Sequence, residues 1–317
     1  MKQTAAEPVI AVLLPAYNEA ATIADTIRGF AEALPEAEIW VIDNASTDGT
    51  GALAAQALQA SGSKGGVLAE ARKGKANAVR RAFMEIEADA FLMADADLTY
   101  PPARAREMLA PILEGRADMV VGDRHSGGHY AAENKRPMHG LGNRLVQEMV
   151  NRLFRANLSD IMSGYRAFNR RFAKSYPIIV EGFEIESDMT LHALDKRFRI
   201  VEIAVEYQDR PAGSVSKLST YRDGARVIWV ILQLFRYYRP LPFFGALAAG
   251  MLLFALAASV PVFSDWVQFR YIYHVPLAIL AAASVIVSTL LFGVGLILDG
   301  IAHQQKMRYE LYVLDHG

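Results

Sequence analysis

The chain has 317 residues, a hydrophobic share of 52%, a formal net charge of −1 and no cysteine. The missing cysteines exclude disulfide and thiolate chemistry and suit a cytosolic setting. No nucleic-acid partner is expected, and the hydrophobic excess is unevenly spread: charges are frequent up to Arg239, absent from 241–264, and limited to His274 across 271–298.

In chain order, residues 8–14 form a short Val- and Ile-containing run ending at Pro15, which predicts a buried strand. Thr22, Ile23, Ile27, Phe30 and Leu34 recur at helical spacing and predict a helix over 19–34. A second strand is predicted at 38–42, ending at Asp43. A turn-rich stretch at 44–51 then runs into an alanine-rich helix reaching about residue 60. Strand 66–69, helix 75–87 and strand 90–94 follow, the last ending at Asp95. Strands alternating with helices predict an α/β fold with a mostly parallel sheet, whose ligands bind at the carboxyl ends of the strands. Those ends carry Pro15-Ala16-Tyr17-Asn18-Glu19, Asp43-Asn44 and Asp95-Ala96-Asp97.

Beyond Val121 the alternation weakens. Residues 123–144 are rich in Gly, His, Arg and Lys and read as a functional loop, followed by helices at 145–154 and 187–197 and a strand at 200–207. Over 219–239, Val227, Ile228, Ile231, Leu234, Phe235 and Tyr238 fall on one side, with Arg222, Arg226, Gln233 and Arg236 largely elsewhere. That pattern predicts a basic amphipathic helix lying on a membrane surface.

The uncharged runs predict two transmembrane helices, at about 241–263 and 274–298. Each exceeds the roughly 20 apolar residues that cross a bilayer as a helix, and uncharged runs this long are rare in soluble cores. Arg222, Arg226, Arg236 and Arg239 precede the first, Lys306 and Arg308 follow the second, and the loop 265–270 carries one charge of each sign. Positive residues flank cytoplasmic helix ends, so both termini and a catalytic domain at 1–218 are expected in the cytoplasm, with 301–317 as a cytoplasmic tail. Residues 1–8 are polar and the apolar run 9–14 is too short for a signal core.

Asp95-Ala96-Asp97 offers two carboxylates separated by one residue at a strand end. Mg²⁺ or Mn²⁺ binds one or two such carboxylates together with substrate phosphates. Alone the triplet reads equally as a solvated turn. Its setting changes that. Pro15-Ala16-Tyr17-Asn18-Glu19, then Val41-Ile42-Asp43-Asn44-Ala45-Ser46-Thr47-Asp48-Gly49-Thr50, then Asp95-Ala96-Asp97 occur in order, and together they resemble the family-2 glycosyltransferases of the GT-A fold. The resemblance implies that Pro15, Ala16, Tyr17 and Glu19 border a nucleotide, that Asp43 bonds its base or ribose, and that Asp95, Ala96 and Asp97 contact the nucleotide sugar, with Asp95 and Asp97 as the metal ligands. Uracil and guanine both fit, with a UDP-sugar favoured. The stretch 71–78 resembles the family's lysine–glycine segment, which usually has a second glycine where Lys75 stands; Lys73 is expected near the diphosphate and Ala76 in the nucleotide-sugar set.

Two further segments narrow the resemblance. Val121-Gly122-Asp123-Arg124-His125 resembles the Gly-x-Arg segment of transferases that act on polyprenyl phosphate, and 159–168 resembles their Asp-x-x-Ser-Gly-aromatic-Arg segment. The chain is thus similar to bacterial polyprenyl-phosphate glucosyl and aminoarabinose transferases, with relatives of dolichol-phosphate mannose synthase close behind. A lipid-phosphate acceptor needs cations, and Arg124, Lys135, Arg136, Arg144, Arg210 and Lys217 are the candidates. Asp97 and Asp160 are the expected catalytic residues, Asp160 either as catalytic carboxylate or as the group that orients Arg124 or Arg166. Glu184 and Glu186 read as sugar-hydroxyl partners or as capping and ion-pair residues, and His125, His129 and His139 lack zinc spacing. A phosphate monoester with a second pKa near ~6 is already nucleophilic at neutral pH, so alignment and neutralisation of the leaving diphosphate dominate.

The expected activity is inverting transfer of one hexose-type sugar to polyprenyl (undecaprenyl) phosphate. The alternatives are a GDP-mannose-dependent synthase, a family-2 transferase with another acceptor, and an inactive scaffold. No Gln-x-x-Arg-Trp segment of processive synthases is present. Small residues at Gly245, Ala249, Gly250, Gly293 and Gly295 permit close helix contacts, and a homo-oligomer, a tetramer as in similar bacterial enzymes, is expected.

Overall fold

The computed structural model describes residues 7–126, 137–180, 185–207, 232–233 and 235–316, and their side chains except those of 137–144, 313, 315 and 316. The chain divides into two compact units, Met1–Leu218 and Ser219–Gly317.

The first unit is built on a seven-stranded sheet of order β3-β2-β1-β4-β6-β5-β7. Its strands are β1 (Ile10–Ala16), β2 (Glu38–Asp43), β3 (Lys64–Ala69), β4 (Ala90–Met93), β5 (Met119–Asp123), β6 (Arg166–Asn169) and β7 (Ile200–Ala204). Helices α1 (Ile23–Ala33), α2 (Thr50–Ser61), α3 (Lys75–Glu85) and α4 (Ala105–Leu113) alternate with the first strands; α5 (Pro137–Phe154), α6 (Arg170–Ser175) and α7 (Ile185–Asp195) come later. All pairings are parallel except those of β6, which runs antiparallel to both β4 and β5. The mostly parallel α/β fold expected from the alternation is therefore present.

Burial follows position in the sheet. β1 and β4 are central, and Ile10–Leu14 and all of β4 are buried, as a strand covered on both faces requires. α1 turns Ile23, Thr26, Ile27 and Phe30 inward, the helical stripe legible in the sequence. Register aligns the carboxyl ends: Ala16 lies opposite Asp43, and Asp43 opposite Ala69. Leu13 lies opposite Met93, so the chain leaves β4 at Asp95 on the same edge.

Several bounds shift for local reasons. The helix expected at 19–34 begins at Ile23, because residues 19–22 form the turn that carries Glu19 and Thr22. The helix expected at 145–154 begins earlier, at Pro137. β7 stops at Ala204, short of Tyr207, where the parallel pairing with β5 runs out.

The second unit contains α8 (Pro240–Phe269) and α9 (Val275–His316), packed on one another. Both are long and apolar enough to cross a membrane. At 1.5 Å per residue, the 30 residues of α8 reach about 45 Å, more than the ~30 Å hydrocarbon layer. Leu253, Val260, Ile279 and Leu290 point outward and exposed, as lipid-facing residues do. Within the pair, Ser288 donates to the Ala248 carbonyl at 2.7 Å. A Cβ on Gly295 would stand 3.0 Å from Phe244 Cβ, so this glycine serves the helix contact, whereas Gly245, Gly250 and Gly293 meet nothing within 4 Å. At the turn, Asp265 accepts from the backbone of Tyr273 and His274 and from His274 Nδ1. Of the helix expected at 219–239, most lies outside the described residues.

Candidate active site

The loops that follow β1 and β2 are stitched together at the carboxyl edge. Asn18, at φ 55°, donates its N–H to Ser46 Oγ at 3.0 Å and accepts from the Thr47 N–H at 2.8 Å. The N–H of Glu19 donates to Thr50 Oγ1, and that of Ala20 to Asp48. Asp43 accepts from the Ser46 N–H at 3.1 Å, and its second oxygen lies where a Cβ on Gly51 would stand at 2.5 Å, so the first turn of α2 needs glycine there. Asn44 reaches the next loop, donating to the Arg72 carbonyl at 2.6 Å and accepting from the Gly74 N–H at 2.7 Å. Glu70 pairs with Arg72, whose side-chain hydrogen bonds hold its carboxyl down at about 2 from an ordinary 4.5. This brings Lys73 to the ring of Tyr17, its Nζ 5.6 Å from the centroid. The three loops that carry the nucleotide-type residues thus form one surface.

The Asp-x-Asp segment leaves β4 beside them. The Ala96 carbonyl accepts from Thr22 Oγ1 at 2.8 Å and from Thr26 Oγ1 at 3.3 Å, which fixes the segment to α1. Asp97 is buried and accepts from the Thr99 hydroxyl and N–H; Leu98, at φ 62°, turns the chain between them. Asp95 is more open and bonds the ammonium of Lys75. Lys75 is buried and lies 2.6 Å from Glu186 Oε1 in α7. Burial opposes its charge, but the two carboxylates outweigh that and hold it well above the ordinary lysine range.

Gly164 closes this cluster, because a Cβ there would meet Asp95 Oδ2 at 2.8 Å and Lys75 Nζ at 3.0 Å. Its N–H donates to the hydroxyl of Tyr100, which stacks on Tyr165 at 5.2 Å between centroids. The loop that presents Gly164 is held from below by the fully buried Arg166, which donates to the carbonyls of Ile161 and Ser163 and to Thr190 Oγ1. At the other end of the loop, Asp160 takes a two-pronged bond from Arg124, Nε at 2.7 Å and Nη2 at 3.0 Å. Burial pushes the Asp160 carboxyl up, but the Arg124 bonds prevail and hold it below its ordinary value. Glu202 in β7 accepts from the N–H groups of Ser159 and Asp160, each at 2.8 Å.

The expected nucleotide-sugar residues Pro15, Ala16, Tyr17, Glu19, Asp43, Lys73, Ala76, Asp95, Ala96 and Asp97 all fall at this carboxyl edge, Ala76 buried in the first turn of α3. Of the expected phosphate-binding cations, Arg124 is described and sits largely enclosed, on Asp160 and against the Tyr207 ring. Arg144 lies in α5, its side chain undescribed, and Lys135, Arg136, Arg210, Lys217 and Glu184 fall outside the described residues. Three residues that shape the site carry no assigned role in the sequence: Lys75 and Asn44, noted only for their positions, and Glu202. Lys75 stands where the family usually has a second glycine, at the start of the expected helix, and nothing in its neighbours signals burial. Asn44 follows a strand end and Glu202 interrupts an apolar strand, which were the available clues.

Among the described residues, no three His, Cys, Asp or Glu side chains gather as a metal cage. Two carboxylates a residue apart, one partly open, fit a Mg²⁺- or Mn²⁺-type ion that takes its remaining ligands from a diphosphate and water.

Comparison with known proteins agrees with this geometry. The family model described as Glycosyl transferase family 2 matches residues 11–176. Glycosyltransferase AglJ of Haloferax volcanii is 32% identical over 94% of this chain and 96% of its own. The undecaprenyl-phosphate mannosyltransferase of Micrococcus luteus is 27% identical over 69% of this chain and 91% of its own. The crystal structure of glucosyl-3-phosphoglycerate synthase from Mycobacterium tuberculosis with Mn²⁺ and UDP-glucose shares the fold, with a TM-score of 0.52 at 22% identity over 72% of this chain and 78% of that one. The chain belongs to glycosyl transferase family 2 and is a hexose-transferring enzyme on a GT-A fold, with relatives among the polyprenyl-phosphate sugar transferases.

Proposed function

We propose that the enzyme transfers one hexose-type sugar from a nucleotide diphosphate sugar, a UDP-sugar being favoured, to polyprenyl phosphate at the cytoplasmic face of a membrane. Carrying the reading is the placement of Asp95 and Asp97 at the carboxyl edge beside the loops of Tyr17, Asp43 and Lys73. The lipid acceptor is supported by the undecaprenyl-phosphate mannosyltransferase among the relatives and by two helices long enough to span a bilayer.

In this reading Tyr17, Glu19 and Asp43 hold the nucleoside, with Lys73 over the Tyr17 ring toward the diphosphate. Asp95 and Asp97 hold Mg²⁺ or Mn²⁺, which when bound neutralises charge on the departing diphosphate. Arg124 presents its guanidinium to the acceptor phosphate, and Asp160 fixes that guanidinium through the two-pronged bond. Asp160 is then an orienting group and not a base: the acceptor phosphate is already a dianion, and the carboxyl is held ionised against Arg124. A phosphate oxygen attacks the anomeric carbon as the bond to the diphosphate breaks, which inverts the centre. Lys135, Arg136, Arg144, Arg210 and Lys217 supply further acceptor contacts. Residues 1–218 form the cytoplasmic catalytic unit, 219–239 lie on the membrane surface, 240–300 cross it twice, both termini are cytoplasmic, and the enzyme works as a homo-oligomer, a tetramer in our reading.

The test supplies purified full-length enzyme with polyprenyl phosphate, Mg²⁺ or Mn²⁺ and a panel of labelled UDP- and GDP-sugars. One donor should yield a β-linked lipid phosphosugar from an α-linked donor. Absence of any lipid-linked sugar across the panel contradicts the proposal.

A further inference from the structure

A buried ammonium stands against one of the two carboxylates assigned to the divalent ion. Lys75 is 8% exposed, bonds Asp95 directly and lies 2.6 Å from Glu186 Oε1. The three side chains arrive from separate places: the first residue of α3, the segment after β4, and the first turn of α7. Gly164 lies close over them, where a Cβ would stand 2.8 Å from Asp95 Oδ2 and 3.0 Å from Lys75 Nζ. Two carboxylates and one ammonium leave a single negative charge, to which Asp97 adds another. A dication drawn to that surplus finds one Asp95 oxygen already held by a cation. Like charges a few ångströms apart repel strongly in a partly dry site. A nucleotide diphosphate brings anionic oxygens that remove this opposition. The lysine stem is flexible, so its ammonium can remain on Glu186 when Asp95 turns to the metal.

We propose that Lys75 is a tethered counter-ion for Asp95 in the donor-free enzyme, so that the divalent cation enters with the nucleotide diphosphate and not ahead of it. Glu186 is the holding partner that keeps the ammonium in place during the exchange. The proposal rests on the reading of Asp95 and Asp97 as the metal-binding pair. It makes Lys75 a positioning residue whose effect is read in metal affinity without turnover.

The experiment titrates Mn²⁺ into full-length enzyme in detergent micelles and follows free Mn²⁺ by its electron paramagnetic resonance signal. It is run without nucleotide, with UDP and with GDP, and each is corrected for Mn²⁺ bound by nucleotide alone. Wild type should bind Mn²⁺ at least about tenfold more tightly with one of the nucleotides than without either. Lys75→Met should raise nucleotide-free Mn²⁺ affinity at least about tenfold, and adding Asp95→Asn to that variant should abolish the gain. If Lys75→Met does not fold because two carboxylates then face each other, Lys75→Met with Glu186→Gln carries the same expectation. Equal Mn²⁺ affinity in wild type with and without nucleotide overturns the proposal, as does an unchanged nucleotide-free affinity in the lysine variant. Absence of Mn²⁺ binding in every preparation, nucleotide included, overturns the metal-pair reading as well.

Discussion

Asp160 and Gly164 sit at the two ends of one short loop and make different demands on it. Asp160 holds Arg124 through two bonds, so Asp160→Asn should leave the guanidinium poorly oriented. The expected outcome is a KM for polyprenyl phosphate raised about tenfold or more with the donor KM near wild type, since a charge-assisted pair is worth about 1.5–3 kcal/mol. A fall in kcat alone, with both KM values unchanged, would favour a base. A Cβ on Gly164 would lie 2.8 Å from Asp95 Oδ2 and 3.0 Å from Lys75 Nζ, so a side chain there displaces the ends of both. Gly164→Ala should therefore cut kcat/KM by about 10²-fold, the scale of a small misplacement of reacting groups, while thermal melting stays cooperative. Wild-type kinetics in that variant would show that Asp95 and Lys75 can shift without cost. The places of Asp95, Asp97 and Asp43 at the carboxyl edge were legible from the strands they end or follow. The contacts around Asp95 were not: Lys75 meets Glu186 from 111 residues away and Gly164 from 89, a closeness only the folded sheet creates.

At the scale of elements, the alternation of β1 to β4 with α1 to α3 was readable chiefly because β1 and β4 are apolar runs and α1 has an inward stripe. β6 was not, since it is four residues long, begins at the buried Arg166 and hides inside a motif whose loop residues dominate the reading. Its antiparallel course is nevertheless what carries the 160–164 loop to the carboxyl edge, with Arg166 opposite Met93 and Val121. The loop between β3 and α3 offers a test by pH. Glu70 has a folded value of about 2 against an ordinary 4.5, set mainly by its hydrogen bonds with Arg72. A depressed carboxyl stabilises the fold above its unfolded value, and that stability is lost as pH falls from 4.5 toward 2. Arg72→Ala should lower Tm by about 2–4 °C near neutral pH, the worth of one ~1 kcal/mol pair, with the deficit shrinking as pH drops through that window. A deficit independent of pH would mean that the loss is packing and not charge.

At the scale of the whole molecule, one unit carries the nucleotide-type loops and the other carries two helices fit to span a bilayer. The uncharged runs were plain in the sequence, although α9 continues as helix to His316, well past the apolar stretch, since residues 301–316 contain neither proline nor glycine. The joining segment at 219–239 is where composition speaks of a membrane surface and where most residues lie outside those described. Passage of sugar to a lipid phosphate is tested by a competition between acceptors. Full-length enzyme, the productive labelled nucleotide sugar and Mn²⁺ are offered polyprenyl phosphate and a soluble phosphorylated acceptor such as 3-phosphoglycerate together, and the label is partitioned between organic and aqueous phases. Label should appear in the organic phase as a lipid phosphosugar, and Asp97→Ala should reduce it by about 10²–10³-fold, the scale of losing a key electrostatic contact to the departing group. Label confined to a water-soluble phosphosugar, or undiminished transfer by Asp97→Ala, would contradict the assignment.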